Sequence, residues 1–237
     1  MGRRGEGRDA SGGQEPRRRP PSWLLAPSGL LATLLVAGAF GLVGQERLDP
    51  APLPAAHPAE VVVVGDSITR LSTQSIRQAT ASYRVDVLAV NGARAAAMLP
   101  AARAAAAPGV GQLIVNLGTN DMLSGADVGS ALRSVEEIVS DFPRATCVHL
   151  VTVSSSIIDF TDLGLPARTA RFDAGLRRLG RLDPRIDIVD WSGTVHDYLA
   201  AGQPHGSLLI DTVHPTAVGQ RLLAQQYAAA LRACPRG

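Results

Sequence analysis

From residue 60 onward, short apolar runs alternate with longer stretches whose apolar positions recur every three or four residues. The first pattern reads as buried strand and the second as amphipathic helix. Strands are predicted at 61–64, 85–90, 112–116, 146–153 and 186–190. Helices are predicted at 68–80, 94–106, 127–141, 167–181 and 215–233. The run Val61, Val62, Val63, Val64 has no polar alternation, which marks a strand covered on both faces. Five such strands with helices between them form a parallel sheet between helical layers, so the fold class is α/β. Ligands bind such sheets beyond the carboxyl ends of the strands. Chemistry is therefore sought after Val64, Val90, Asn116, Val153 and Asp190, and just before the last helix.

The first 59 residues follow another pattern. Residues 1–22 are rich in Gly, Arg, Ser and Pro, and a disordered arm is expected there. No charge lies between Pro20 and Gln45, and 23–43 is predominantly apolar. That approaches the ~20 residues a helix needs to cross a bilayer. Arg17, Arg18 and Arg19 would stay cytoplasmic and send the following chain outward. Two readings compete: an uncleaved transmembrane anchor at 23–43, or a signal peptide cut after Ala39 in the small-residue run Ala37, Gly38, Ala39. Residues 44–59 read as a Pro/Ala-rich linker, and 60–234 as the folded domain. Either way the domain is expected outside the cytoplasm, on a single-pass membrane protein or secreted.

Charge refines this picture. Residues 1–44 hold six Arg against three acids, and the remainder seventeen Arg against eighteen acids, so the arm carries +3 and the remainder −1. The folded part thus lacks a basic footprint, and no nucleic-acid partner is expected.

Gly65, Asp66, Ser67, Ile68 follow the first strand. A polar turn there is commonly only a helix cap. The glycine pattern of a dinucleotide site is absent, and Thr69 stands where the Gly-x-Ser-x-Gly elbow needs its second glycine. What remains is a serine at a strand end and a helix start, where free N–H groups and the helix dipole favour developing negative charge. Serine needs a base. Of the five histidines, His57 lies in the linker, His149 inside a strand, and His196 and His205 in a polar connection. His214 lies in Asp211, Thr212, Val213, His214, Pro215, just before the final helix. Pro215 pushes His214 toward extended backbone, and Asp211 can turn back to its Nδ1–H. The third strand leads into Asn116, Leu117, Gly118, Thr119, Asn120, Asp121. Such residues often form idle loops, yet an amide here could donate to an oxyanion.

Gly-Asp-Ser, Gly-Thr-Asn-Asp and Asp-x-x-His-Pro, in that order over about 60–233, resemble the blocks of the SGNH (GDSL-like) hydrolases. The resemblance implies a three-layer α/β/α sandwich, flavodoxin-like, with a five-stranded parallel sheet. It implies Ser67 as nucleophile, His214 as base, Asp211 as its partner and Asn120 as oxyanion donor, with no cofactor and no metal. Asp66 is expected to bond backbone in its own turn. The family also draws an oxyanion N–H from the loop after the second strand. Here Gly92 is the only glycine of that loop, and Ala95 is the alternative. Asp190 and Trp191 resemble a pair in the family's bacterial cell-envelope O-acetyl esterases and acetyltransferase domains, although Trp191 can equally pack under a loop. The implied activity is hydrolysis of small acyl esters, O-acetyl groups on an envelope glycan among them. Acyl transfer to a glycan is the alternative enzyme. A catalytically silent glycan-binding module is the alternative of another class, against which the four intact site residues argue. The expected partners are an acyl ester or acylated glycan, and the membrane through 23–43; a monomer is expected.

The only cysteines are Cys147 and Cys234. The final helix should run antiparallel to the strands and bring Cys234 down near Cys147 at the amino edge, where an exported chain can hold a disulfide. Two unpaired cysteines remain the alternative.

Overall fold

A computed structural model describes residues 60–235. The arm, span and linker expected over 1–59 lie outside the described residues. Strands β1 (Glu60–Gly65), β2 (Arg84–Ala89), β3 (Val110–Asn116), β4 (Cys147–Val151) and β5 (Ile186–Val189) form one parallel sheet in the order β2-β1-β3-β4-β5. The helices are α1 (Ser67–Ala79), α2 (Ala95–Ala105), α3 (Thr119–Leu123), α4 (Val128–Ser140), α5 (Leu165–Leu182), α6 (Trp191–Ala200), α7 (His205–Leu208) and α8 (Ala217–Ala233). The sheet with helices on both faces is the α/β architecture read from the sequence.

The period of two along β1 splits the interior in two. Val62 and Val64 pack with Met98 of α2, Val135 and Ile138 of α4, and Phe172 and Leu176 of α5. Val61 and Val63 face the other way, toward Ile76 of α1 and Leu223, Tyr227 and Leu231 of α8. All four valines are at most 1% exposed, and each contributes ~1.5 kcal/mol or more by leaving water. That burial on both faces explains the unbroken apolar run. After β1 the chain pairs β2 on one side, then crosses to place β3 on the other. The crevice between the carboxyl ends of β1 and β3 is therefore the topological switch point.

The five strands agree with the sequence pattern to within about two residues, and three helices add to it. β4 stops at Val151 instead of 153, because the Val153 N–H leaves the ladder and donates to Asp173 Oδ1 (2.9 Å). α6 occupies what reads as polar connection. Its apolar positions Trp191 and Val195 are buried, and Asp190 caps it by accepting from the Gly193 N–H (3.0 Å). Gly193 and β-branched Thr194 and Val195 are poor helix formers, so capping and packing override propensity there. Trp191 is 1% exposed and belongs to this core. α7 is a single turn. Cys147 and Cys234 form a disulfide with Cα atoms 6.0 Å apart, joining the first residue of β4 to the end of α8. Among the described residues no helix is long and apolar enough to cross a membrane.

Candidate active site

Gly65 ends β1 where a Cβ would overlap the Thr69 side chain. Only glycine lets the strand end press this closely on the first turn of α1. Asp66 then caps the helix: its Oδ1 accepts from the Ile68 N–H at 2.9 Å. Ser67 is the first residue of α1, so its N–H has no acceptor within the helix and lies in the positive end of the dipole.

The segment before α8 meets this serine across 147 residues of sequence. His214 Nε2 lies 2.9 Å from Ser67 Oγ, and His214 Nδ1 lies 2.8 Å from Asp211 Oδ2. Asp211 Oδ1 accepts from the backbone N–H groups of Val213 (3.2 Å) and His214 (2.8 Å). One carboxylate thus closes its own turn and orients the imidazole. Burial pushes the Asp211 carboxyl up, but the N–H groups of His214 and Val213 together outweigh it and hold it below the usual range. Thr212, between them, takes φ 69°, a left-handed conformation that costs a β-branched residue ~1–3 kcal/mol. The turn is held there from two sides. The Ile210 N–H donates to the His214 carbonyl (2.7 Å), and Thr212 Oγ1 accepts from the Ile158 N–H (3.2 Å) in the β4–α5 loop.

The third element comes from the end of β3. Gly118 has φ 114°, and a Cβ there would overlap the Phe172 ring, so this position also requires glycine. The following residues, which read as loop, form α3, with Asn120 its second residue. Asn120 Nδ2 donates to Asp66 Oδ2 (3.0 Å) and to the Ala93 carbonyl (3.2 Å). The neighbouring Asp121 accepts from the Ala95 N–H (3.0 Å) and so caps α2, where Arg94 gives no side-chain cap. The two residues grip the β2–α2 loop on either side of Arg94. Of the two backbone donors left open by the sequence, Ala95 is therefore committed to Asp121. Gly92 stands at an exposed turn with φ 70°.

Two contacts were not legible in advance. Asp66 makes the expected bond in its own turn, but its second oxygen reaches Asn120, 54 residues away. Burial pushes Asp66 up to about 7, against the Ile68 N–H, the His214 charge and the Asn120 N–H. Asp121 is likewise raised by burial, with the Ala95 N–H opposing. Neither pairing has a sequence spacing that could reveal it. The remaining described histidines stand apart from Ser67: His149 is buried with Nε2 3.1 Å from Gln112 Oε1, His196 lies on α6 and His205 opens α7.

Residues 63–222 match the model of the GDSL-like lipase/acylhydrolase family. The solved catalytic domain of peptidoglycan O-acetyltransferase A from Streptococcus pneumoniae is similar, with TM-score 0.59 and 19% identity over 75% of this chain and 94% of that one. A lipolytic G-D-S-L protein from Veillonella parvula gives TM-score 0.61 and 19% identity over 73% and 98%. An acetyl xylan esterase gives TM-score 0.62 and 16% identity over 73% and 99%. At these identities the likeness establishes the fold. No curated protein matches the sequence significantly.

Proposed function

The chain belongs to the GDSL-like lipase/acylhydrolase family, and we propose that it is a serine esterase that removes small acyl groups through an acyl-serine intermediate. The observation that carries this reading is the unbroken path Ser67 Oγ, His214 Nε2, His214 Nδ1, Asp211 Oδ2, with links of 2.9 and 2.8 Å. His214 takes the Ser67 proton as Oγ bonds to the acyl carbon, and the carbonyl π electrons move onto oxygen. Asn120 Nδ2–H and the N–H groups of Ser67 and Gly92 receive that oxyanion. Collapse expels the alcohol, to which His214 returns the proton. Water then repeats the sequence on the acyl-serine and frees the acid. Asp211 keeps the Nδ1–H tautomer and stabilises the imidazolium.

The site is shallow: the Asp211 side chain is 54% exposed and that of His214 33%. This supports an ester whose alcohol part is bulky and stays largely in solvent, such as an O-acetylated envelope glycan. The disulfide supports an oxidising compartment, in keeping with export directed by Arg17–Arg19 and the apolar segment 23–43. Acyl transfer to a sugar hydroxyl is the second reading, favoured by the likeness to an O-acetyltransferase domain; the same residues serve it, with the sugar in place of water. Wild type and Ser67→Ala are compared on p-nitrophenyl acyl esters and acetylated glycans, with acyl fate followed in water and with added glycan acceptor. Turnover falling to background in Ser67→Ala at unchanged Tm is expected. Retention of more than a few per cent would remove Ser67 from the role.

A further inference from the structure

Asn120 serves an oxyanion only if its amide presents nitrogen rather than oxygen toward the oxygen on which the charge develops. The two ends of an amide are similar in size, and χ2 rotates over a broad range, so something must choose between them. Two groups do so here, and with Asp66 ionised both can only accept: Asp66 Oδ2 at 3.0 Å and the Ala93 carbonyl at 3.2 Å. The Asp66 contact is the stronger, since a carboxylate acceptor makes a charge-assisted bond. It is also the stiffer. Asp66 is fully buried, and its other oxygen is fixed on the Ile68 N–H at 2.9 Å. A helix cap alone does not call for this residue, because Ser or Asn caps as well without placing a carboxyl group in the core.

We infer that Asp66 is the positioning residue of the oxyanion donor, its inward carboxylate oxygen holding the Asn120 amide nitrogen-first beside Ser67. This rests on the esterase reading above. The amide has two hydrogens. One stays with Asp66, and the other, on the neutral and more distant Ala93 carbonyl, is the one that turns to or is shared with the oxyanion. Asp66 itself never touches substrate. Burial drives the carboxyl toward its neutral form, and the Ile68 and Asn120 N–H groups are among the contacts that favour the ionised one.

The test uses Asp66→Asn, which keeps an oxygen for Ile68 but sets a second NH2 against that of Asn120, and Asp66→Ser, which keeps the cap and leaves Asn120 only the Ala93 carbonyl. With p-nitrophenyl acetate, both should lower kcat about 10²-fold, the scale of a misplaced catalytic group, with KM changed less than about threefold. Asn120→Ala should lower kcat about 10²–10³-fold. Adding Asp66→Asn to Asn120→Ala should cost almost nothing more, because the first change acts through the second. A full further loss in the double variant, an effect confined to KM, or wild-type kcat would each overturn the inference. A crystal structure of Asp66→Asn supplies a readout independent of turnover. The Asn120 amide should be rotated; an amide still nitrogen-first on Ala93 would also overturn it. Turnover that does not depend on Ser67 sinks the esterase reading alone, and the structural arm then decides on Asp66.

Discussion

Asp211→Asn probes the base with the least disturbance to the fold. Its retained oxygen can still accept from the Val213 and His214 N–H groups, so the turn should keep its shape. The new NH2 faces His214 Nδ1 and can only donate. Nδ1 must then accept, the ring proton moves to Nε2, and Nε2 can no longer take the proton of Ser67. The lost charge adds to this. At the observed 2.8 Å, an imidazolium and a carboxylate attract by ~6 kcal/mol at an effective dielectric of 20 and by ~1.5 kcal/mol in bulk water. These limits correspond to about 10⁴-fold and 10-fold in rate. Asp211 is more than half exposed, and solvent screening places the pair toward the lower limit. With the tautomer effect included, kcat should fall about 10²- to 10³-fold at unchanged KM. The measurement is the pH dependence of kcat and KM on p-nitrophenyl acetate, with Tm as the check on folding. A loss under tenfold with the wild-type pH profile would refute the assignment of Asp211 as partner of the base.

Cys147→Ser with Cys234→Ser should destabilise without inactivating. The bridge spans 87 residues, which gives ~4.6 kcal/mol in the chain-entropy model, or roughly 9–18 °C in Tm for a domain of this size. A Tm change under ~3 °C, or loss of kcat at 25 °C, would contradict a purely structural bond at the amino edge. His149 gives a pH dependence of stability. Burial lowers its pKa below 6.5, with Asp187 opposing, so the unfolded chain binds the proton first and stability drops as pH falls from about 6.5 toward the depressed value. Urea midpoints at pH 7 and 5 should therefore differ more for wild type than for His149→Gln. Equal differences would rule His149 out as the cause.

The strand pattern was legible because burial on both faces leaves an unbroken apolar run, as in Val61–Val64, and because period and length separate strand from helix. The positions of Ser67 and His214 were legible for a related reason. A parallel sheet puts its carboxyl ends on one edge, so any strand end or final-helix start is a candidate without knowledge of distances. Helices α3, α6 and α7 were not, since runs of four to ten residues with Gly, Thr or Val carry too little propensity, and their capping and packing come from residues distant in sequence. The same limit governs the contacts of the site. Local chemistry determined that Asp66 caps its helix and that Asp211 reaches His214, because two or three residues of turn geometry suffice. That Asp66 also holds Asn120, that Asp121 rather than solvent takes the Ala95 N–H, and that Thr212 is held in a left-handed turn beside Ile158 was decided only when β1, β3 and the segment before α8 met at one edge. A hydrogen bond between residues 26 to 54 positions apart leaves no periodic trace in the chain, and depends on where packing of the two cores brings the strand ends.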